Sequence, residues 1–284
     1  MTPDSHPPRP PDRLEQARAE AMRLDRAVHA DGLAPSREKA RALVIAGRIR
    51  VNGCRADKPG RRVRPEDRLE MIGSDRPLAS RGGGKVVDVL PALQIDVRGF
   101  RCLDVGASTG GFTDVLLRAG AAHVVAIDVG RGLLDARLAA DPRVLNVEGV
   151  NARYLDPARL DPPYDFALCD LSFISLEVVL PRILPLLPAG RILALVKPQF
   201  EVGPEKIGRG GVVRDPNLRK EAVRKVADFL RRQGWTILGV RESPLAGPKG
   251  NREVFLYAGA GSEDQTRALG PESFERRLDE EISP

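Results

Sequence analysis

From about residue 85 to residue 260 the hydrophobic positions come in short runs, and most runs are followed by a stretch with apolar residues at every third or fourth position. RCLDVGA, HVVAIDVG, RVLNVEGV, YDFALCDL, RILALVKPQF, WTILGV and REVFLYAG read as strands. FTDVLLRAG, GLLDARLAA, SLEVVLPRIL and NLRKEAVRKVADFLRRQ read as helices, the last with Asp215 as cap, Pro216 in its first turn and Gly234 at its end. Strand and helix in alternation predict an α/β fold, a doubly wound, Rossmann-like sheet with helices on both faces.

The pattern before residue 74 is different. Arg23 to Ala30 reads as a helix, and a second follows Ser36, which stands at an N-cap with Glu38 in the first turn and Ala40, Leu43 and Val44 at helical spacing. Gly47 stops it, and short strands follow, with Asn52-Gly53 marking a tight turn. Residues 21–73 therefore form a small α+β domain. GSDRPLASRGGG, with its Gly, Ser and Pro, sets a linker at 74–84 and a larger domain at 85–260. Residues 1–20, rich in Pro, Arg and acids, are expected to be a disordered extension. Residues 261–284 read as a polar tail in which ESFERRLDEEI forms at most one loose helix.

Composition narrows the function. A chain of 284 residues, 42% hydrophobic, has room for one large domain and one small one. Its three cysteines, Cys54, Cys102 and Cys169, are too scattered for a disulfide framework or a zinc cluster, so no metal is expected and a reducing cytoplasm is. No window approaches the ~18 apolar residues of a membrane span.

The formal charge of +6 favours a polyanionic partner. Arg23, Arg37, Lys39, Arg41, Arg48, Arg50 and Arg55, with Arg61 and Arg62, crowd the small domain, and such density beside a helix and hairpin predicts a phosphate-binding surface. The stretch SREKARALVIAGRIRVNG resembles the RNA-binding module first seen in a ribosomal small-subunit protein. Lys206 and Arg209, in the Gly-rich loop GPEKIGRGGVVRD, and Lys249 in GPKGN are further candidates for RNA phosphate. Aromatics, 4% of the chain, form no stacking platform.

DVGASTGGF, residues 104–112, occupies the turn after the first strand of the sheet, where such folds bind ligands. Asp104, Gly106, Ser108, Gly110, Gly111 and Phe112 are thus candidate cofactor contacts. The glycine spacing is not GxGxxG, and a carboxylate at Asp104 suits an amine better than a pyrophosphate. S-adenosylmethionine (AdoMet) therefore fits this turn better than a dinucleotide. Asp128, ending the second strand, is placed to accept ribose hydroxyls, and Asn151 and Arg153 border the adenine side.

Asp170 in CDLSF, Lys197 in LVKPQF, Glu253 in GNREVFL and Lys85 in GGGKVV form a Lys, Asp, Lys, Glu set, with Lys197 placed after an otherwise buried run. A ribose 2'-hydroxyl is a poor nucleophile whose proton must leave as a methyl arrives, and a lysine amine can take it only if its pKa is lowered, as partial burial and a second nearby cation would do, while carboxylates fix the geometry and balance the charge. Lys197 is the candidate base, Asp170 orients it near the sulfonium end of the cofactor, and Lys85 and Glu253 position the ribose.

Two other readings stay open. Asp161-Pro162-Pro163-Tyr164 spells the DPPY of amino-group methyltransferases, which would flip a base and methylate it. It precedes its strand, however, and so is expected at the wrong edge of the sheet. The alternative to an enzyme is an RNA-binding or lytic protein using the basic helix from Asn217 to Gln233 as an interfacial helix.

RGGGK, DVGASTGGFTD, DLSFISL, VKPQFEVG, GGVVRD and GPKGN, in this order after the basic module, resemble the TlyA family over nearly everything from Met22 to Gly259. The resemblance implies an rRNA 2'-O-methyltransferase with an FtsJ-like catalytic domain, older family labels being haemolysin. It implies AdoMet as cofactor, cytidine in ribosomal RNA or ribosomal subunits as target, and Lys85, Asp170, Lys197 and Glu253 as the catalytic set. The proline-rich extension is not part of that pattern.

Overall fold

The computed structural model of the protein describes residues 21–45, 47–71, 78–157, 160–247 and 249–282. The extension at 1–20 and the first part of the expected linker, 74–77, lie outside the described residues. Contacts divide the chain into two units, Met1–Pro77 and Leu78–Pro284.

In the first unit, helices α1 (Leu24–Ala30) and α2 (Arg37–Ile45) precede strands β1 (Ile49–Val51), β2 (Cys54–Ala56) and β3 (Leu69–Met71), with β1 paired antiparallel to both others. Ser36 caps α2, its Oγ accepting from the Lys39 N–H at 3.2 Å. Asn52 and Gly53, at φ 53° and 77°, supply the consecutive positive values that the β1–β2 hairpin turn needs. Leu24, Val28, Ala40, Val44, Ile49 and Val51 make the core. Asp25, buried beside them, pairs with Arg23 at 3.0 Å and Arg37 at 3.4 Å. The hydrogen bond from Arg23 holds its carboxyl below the usual range, against the cost of burial.

The second unit runs through α3 (Val89–Ala92), β4 (Arg101–Val105), α4 (Gly111–Arg118), β5 (His123–Asp128), α5 (Ala136–Ala139), β6 (Val144–Glu148), β7 (Phe166–Cys169), α6 (Leu176–Ile183), β8 (Arg191–Val196), α7 (Pro198–Glu201), α8 (Pro216–Arg232), β9 (Thr236–Glu242), β10 (Val254–Gly259) and α9 (Pro271–Glu281). The strands form one seven-stranded sheet in the order β9-β10-β8-β7-β4-β5-β6. β10 alone runs opposite to the other six strands, antiparallel to both β8 and β9. Alternate residues of β8 serve opposite cores. Ile192, Ala194 and Val196 pack with residues of α6, α8 and α9, while Leu193 and Leu195 pack with residues of α3 and α4.

Several local features depart from the sequence reading. Within GLLDARLAA only Ala136–Ala139 is helical, because the Glu148 carboxylate takes the Gly132 N–H at 2.6 Å and the Leu133 N–H at 3.1 Å and holds them out of a helix. The strand RILALV ends at Val196, where Pro198 starts α7 instead. Residues 78–85, expected as linker up to 84, dock within the second unit. There the Ala79 N–H donates to Asp114 Oδ2 at 3.0 Å, and Arg81–Lys85 forms a 3₁₀ turn.

The expected polar tail is likewise corrected. Helix α9 buries Phe274 and Leu278, with Ile282 just beyond it, in the core, and Arg231 lies 4.6 Å over the Phe274 ring. Helix α8 spends its apolar stripe the same way, burying Ala222, Val223, Val226 and Leu230 against the sheet. A membrane has no apolar face to take from it. Among the described residues no helix is long and apolar enough to cross a membrane.

Candidate active site at the carboxyl edge of the sheet

Strand order reverses between β4 and β7, and the segments that leave these paired strands run to helices on opposite faces, which leaves a crevice beyond the carboxyl ends. Gly106 follows β4 and Asp170 follows β7. The Asp170 N–H donates to the Val105 carbonyl at 3.0 Å, tying the two ends together. Gly106 has φ +91°, and a Cβ on it would come within 2.3 Å of the Asp170 carbonyl oxygen. No other residue fits there. The backbone is thereby left bare at the mouth of the crevice.

Two cavities meet at this point. The first, about 550 Å³, is lined by Gly106, Ser108, Asp128, Asn151, Asp170 and Phe173 among others. The second, about 690 Å³, is lined by Lys85, Gly106, Ser108, Gly111, Phe112 and Asp170 among others. Gly106, Ser108 and Asp170 border both.

Asp128 ends β5 with both carboxylate oxygens held: Oδ2 accepts from the Ser108 N–H at 2.8 Å and Oδ1 from the Gly130 N–H at 2.7 Å. Each oxygen keeps a second lone pair, so the fixed carboxylate can still accept from hydroxyls in the first cavity. The Asn151 side chain accepts from the Arg153 N–H at 2.9 Å and caps the short turn that walls the same cavity.

The Lys, Asp, Lys, Glu set converges. Lys197 Nζ lies 2.6 Å from Asp170 Oδ1, and Lys85 Nζ lies 3.8 Å from Asp170 Oδ2 and 2.7 Å from Glu253 Oε2. Asp170 thus stands between two ammonium groups. The side chains of Lys85, Asp170, Lys197 and Glu253 are 12%, 20%, 8% and 1% exposed. Two cations and two anions balance, which is the condition on which such burial is tolerable. Lys85 and Asp170 line the second cavity, whereas Lys197 and Glu253 line neither cavity and adjoin the crevice through their partners.

Two expected cofactor contacts are set back from both cavities. Gly110, at φ +88°, lines neither cavity; its Cβ position is filled by the side chains of Leu134 and Leu138, so its glycine serves the entry of α4. Asp104 is fully buried and also lines neither. Its Oδ2 accepts from Thr113 Oγ1 at 2.6 Å, and its Oδ1 has no hydrogen-bond partner among the described residues. Burial pushes the Asp104 carboxyl up to about 7, Thr113 pulls it back, and the nearby charges of Asp170 and Asp128 add to the rise.

The DPPY stretch sits at the amino edge. Arg101, the first residue of β4, donates to the Asp161 and Pro163 carbonyls, and its guanidinium lies 5.1 Å over the buried Tyr164 ring. Neither cavity includes it.

Among the basic residues, Lys39, Arg41, Arg50 and Arg55 are exposed on the first unit and Arg48 is partly so. Arg23 and Arg37 are engaged with Asp25. Lys206 pairs with Glu221 on α8. Lys249 is exposed beside the loop carrying Gly211, and Arg209 opens a short 3₁₀ turn in that loop.

Sequence reasoning missed four residues. Ser172 Oγ accepts from Lys197 Nζ at 2.8 Å. Phe173 is 90% exposed at φ +65°, its ring 5.2 Å from that of Phe200. Glu201 is buried and accepts from Ser175 Oγ at 2.6 Å. Asn251 is buried and joins two loops, donating to the Gly211 carbonyl at 2.8 Å and accepting from the Val213 N–H at 2.9 Å. The signal for Glu201 was a lone acid between Phe200 and Val202; nothing in the local pattern marks Ser172.

The chain matches the FtsJ-like methyltransferase family over residues 78–260 and the S4 domain over residues 22–69. It is 46% identical over 267 residues to the 16S/23S rRNA (cytidine-2'-O)-methyltransferase TlyA of Mycobacterium tuberculosis, covering 93% of this chain and 98% of the relative. To the 23S rRNA (cytidine-2'-O)-methyltransferase TlyA of Campylobacter jejuni it is 32% identical, covering 69% of this chain and 78% of the relative. A solved hemolysin-type structure from Streptococcus thermophilus superposes with a TM-score of 0.67 at 35% identity, covering 92% of this chain and 95% of that one.

Proposed function

The chain belongs to the TlyA family, FtsJ-like methyltransferases with an S4 domain, and on that premise we propose that it methylates the ribose 2'-hydroxyl of cytidine in ribosomal RNA with AdoMet as donor. The observation that carries the mechanism is the placement of Asp170 between Lys197 and Lys85 at a rim shared by two cavities.

The residues present fit AdoMet. Gly106 leaves bare backbone where any Cβ would collide, and Asp128 presents a pre-fixed carboxylate to ribose hydroxyls in the first cavity, with Asn151 farther along the same wall. The cofactor supplies an electrophilic methyl group on a sulfonium. Lys197, once its ammonium has given up a proton to solvent, would take the proton from the 2'-hydroxyl as that oxygen accepts the methyl, and Asp170, with Ser172, fixes the direction of its Nζ. Lys85, held by Glu253, lines the second cavity and orients the acceptor ribose. A positioned base contributes roughly 10²–10⁴-fold and alignment of the reactants more.

The S4 unit, with its exposed Lys39, Arg41 and Arg50, holds the RNA by its phosphates. A ribosomal target would be met in the cytoplasm, which supports that location for this protein. The test is to incubate purified protein with labelled AdoMet and ribosomal subunits, digest the RNA, and locate the methyl. Label on cytidine ribose is the expected result; label on a base amino group, or none, rejects the proposal.

A further inference from the structure

We propose that Glu201 is a positioning residue that sets the spacing of Lys197 and Asp170, by stapling together the two chain segments that carry them. Those segments leave the sheet side by side: residues 170–175 after β7 and residues 197–201 after β8, two strands paired in parallel. The inner end of the first segment is anchored by the Asp170 N–H on Val105. Beyond it the chain passes through Ser172 and the left-handed Phe173 before α6 begins.

Glu201 holds the outer end. Its Oε2 accepts from Ser175 Oγ at 2.6 Å and its Oε1 from the Leu176 N–H, in the first turn of α6, at 2.8 Å. Ser175 Oγ in turn accepts from the Glu177 N–H at 3.3 Å as the helix cap. From α8, Lys225 Nζ donates to the Glu201 carbonyl at 3.0 Å and lies 3.4 Å from Oε2. Between anchor and staple, the two segments meet at Lys197–Ser172 and Phe200–Phe173.

The carboxylate is 1% exposed, and burial pushes it up against the hydrogen bonds and Lys225 that favour its charge. An apolar side chain would fill that volume without the cost of desolvation. It would not fix distance and direction between two loops. Directional bonds are needed because a displacement of about 1 Å at a reacting centre costs on the order of 100-fold in rate.

This inference rests on Lys197 acting as the base, so the experiment measures both. Methyl transfer at saturating AdoMet is normalised to AdoMet-binding sites counted by calorimetry, for Glu201→Ala, Glu201→Gln, Ser175→Ala, the Ser175→Ala/Glu201→Ala double variant and Lys197→Ala. Glu201→Ala is expected to lower kcat per binding site roughly 10–100-fold, with a smaller change in AdoMet affinity. Glu201→Gln keeps an acceptor for Leu176 and recovers most of the rate. The double variant loses no more than Glu201→Ala alone, because both changes remove one staple.

Wild-type kcat per binding site in Glu201→Ala, with Lys197→Ala inactive, overturns the positioning role alone. Full activity in Lys197→Ala overturns the base instead, whatever Glu201 does. If Glu201→Ala does not fold, Ser175→Ala decides: it removes the hydroxyl end of the staple, and an unchanged kcat rejects the inference.

Discussion

Lys197 Nζ and Asp170 Oδ1 lie 2.6 Å apart, at the ends of neighbouring parallel strands. Strands in parallel register bring the residues that follow them to one edge, and here that edge joins an amine to the carboxylate that also faces Lys85. Asp170→Asn keeps the shape and removes the charge between the two lysines. Turnover is expected to fall about 100-fold or more, and further than AdoMet affinity does. Steady-state kinetics paired with calorimetry checks this; an unchanged kcat would mean that Asp170 only fills space.

Asp104 makes stability depend on pH. Its carboxyl is raised from 3.8 to about 7 in the folded protein, so between those values the folded state holds a proton that the unfolded state has lost. Stability therefore falls as pH rises through that window and is lowest above about 7, by on the order of 4 kcal/mol from this group. Asp104→Asn mimics the protonated acid and can still accept from Thr113. Urea unfolding of cofactor-free protein should show the variant gaining on wild type from pH 5 to pH 8, and parallel pH curves would contradict the assignment.

Gly106→Ala combines a left-handed φ with a collision against the Asp170 carbonyl. The backbone conformation alone costs about 1–2 kcal/mol, and relief of the clash must push the β4 turn away from Asp170. AdoMet affinity is expected to fall at least tenfold by calorimetry, because the displaced turn borders both cavities. Wild-type affinity would remove Gly106 from the cofactor site.

Arg41 and Arg50 are exposed on the S4 unit. Replacing each by Ala should weaken RNA binding across sequences and lower the slope of log K against log salt by roughly one per residue. A salt titration of binding to an rRNA fragment measures this. An unaltered slope would exclude phosphate contact by these two arginines.

The doubly wound sheet was legible because its strands announce themselves as apolar runs, and the small unit because Ser36, Gly47 and Asn52-Gly53 punctuate it. Asp170, Lys197 and Glu253 were legible as polar residues at strand ends, and Lys85 as the residue after the linker glycines. Ser172, the partner of Lys197, was not, and the lone acid Glu201 gave no hint of its partners Ser175 and Leu176, since local pattern carries no signal for pairing across segments. The packing of Asp104 on Thr113 and of Gly110 on Leu134 and Leu138 was not legible, because adjacency to a Gly-rich turn does not tell which residues face the crevice and which face α4. The docking of α9 was hidden by charge, as Phe274, Leu278 and Ile282 recur every four positions amid acids and arginines.

The most direct test of the account is the rate at which Lys197→Ala moves a labelled methyl from AdoMet to ribosomal RNA in a single turnover, with AdoMet binding measured on the same preparation. A loss of roughly 10²–10⁴-fold with AdoMet binding retained is the predicted result. Transfer at the wild-type rate would contradict it, and would do so most sharply if Lys85→Ala, made alongside, were the variant that lost the reaction.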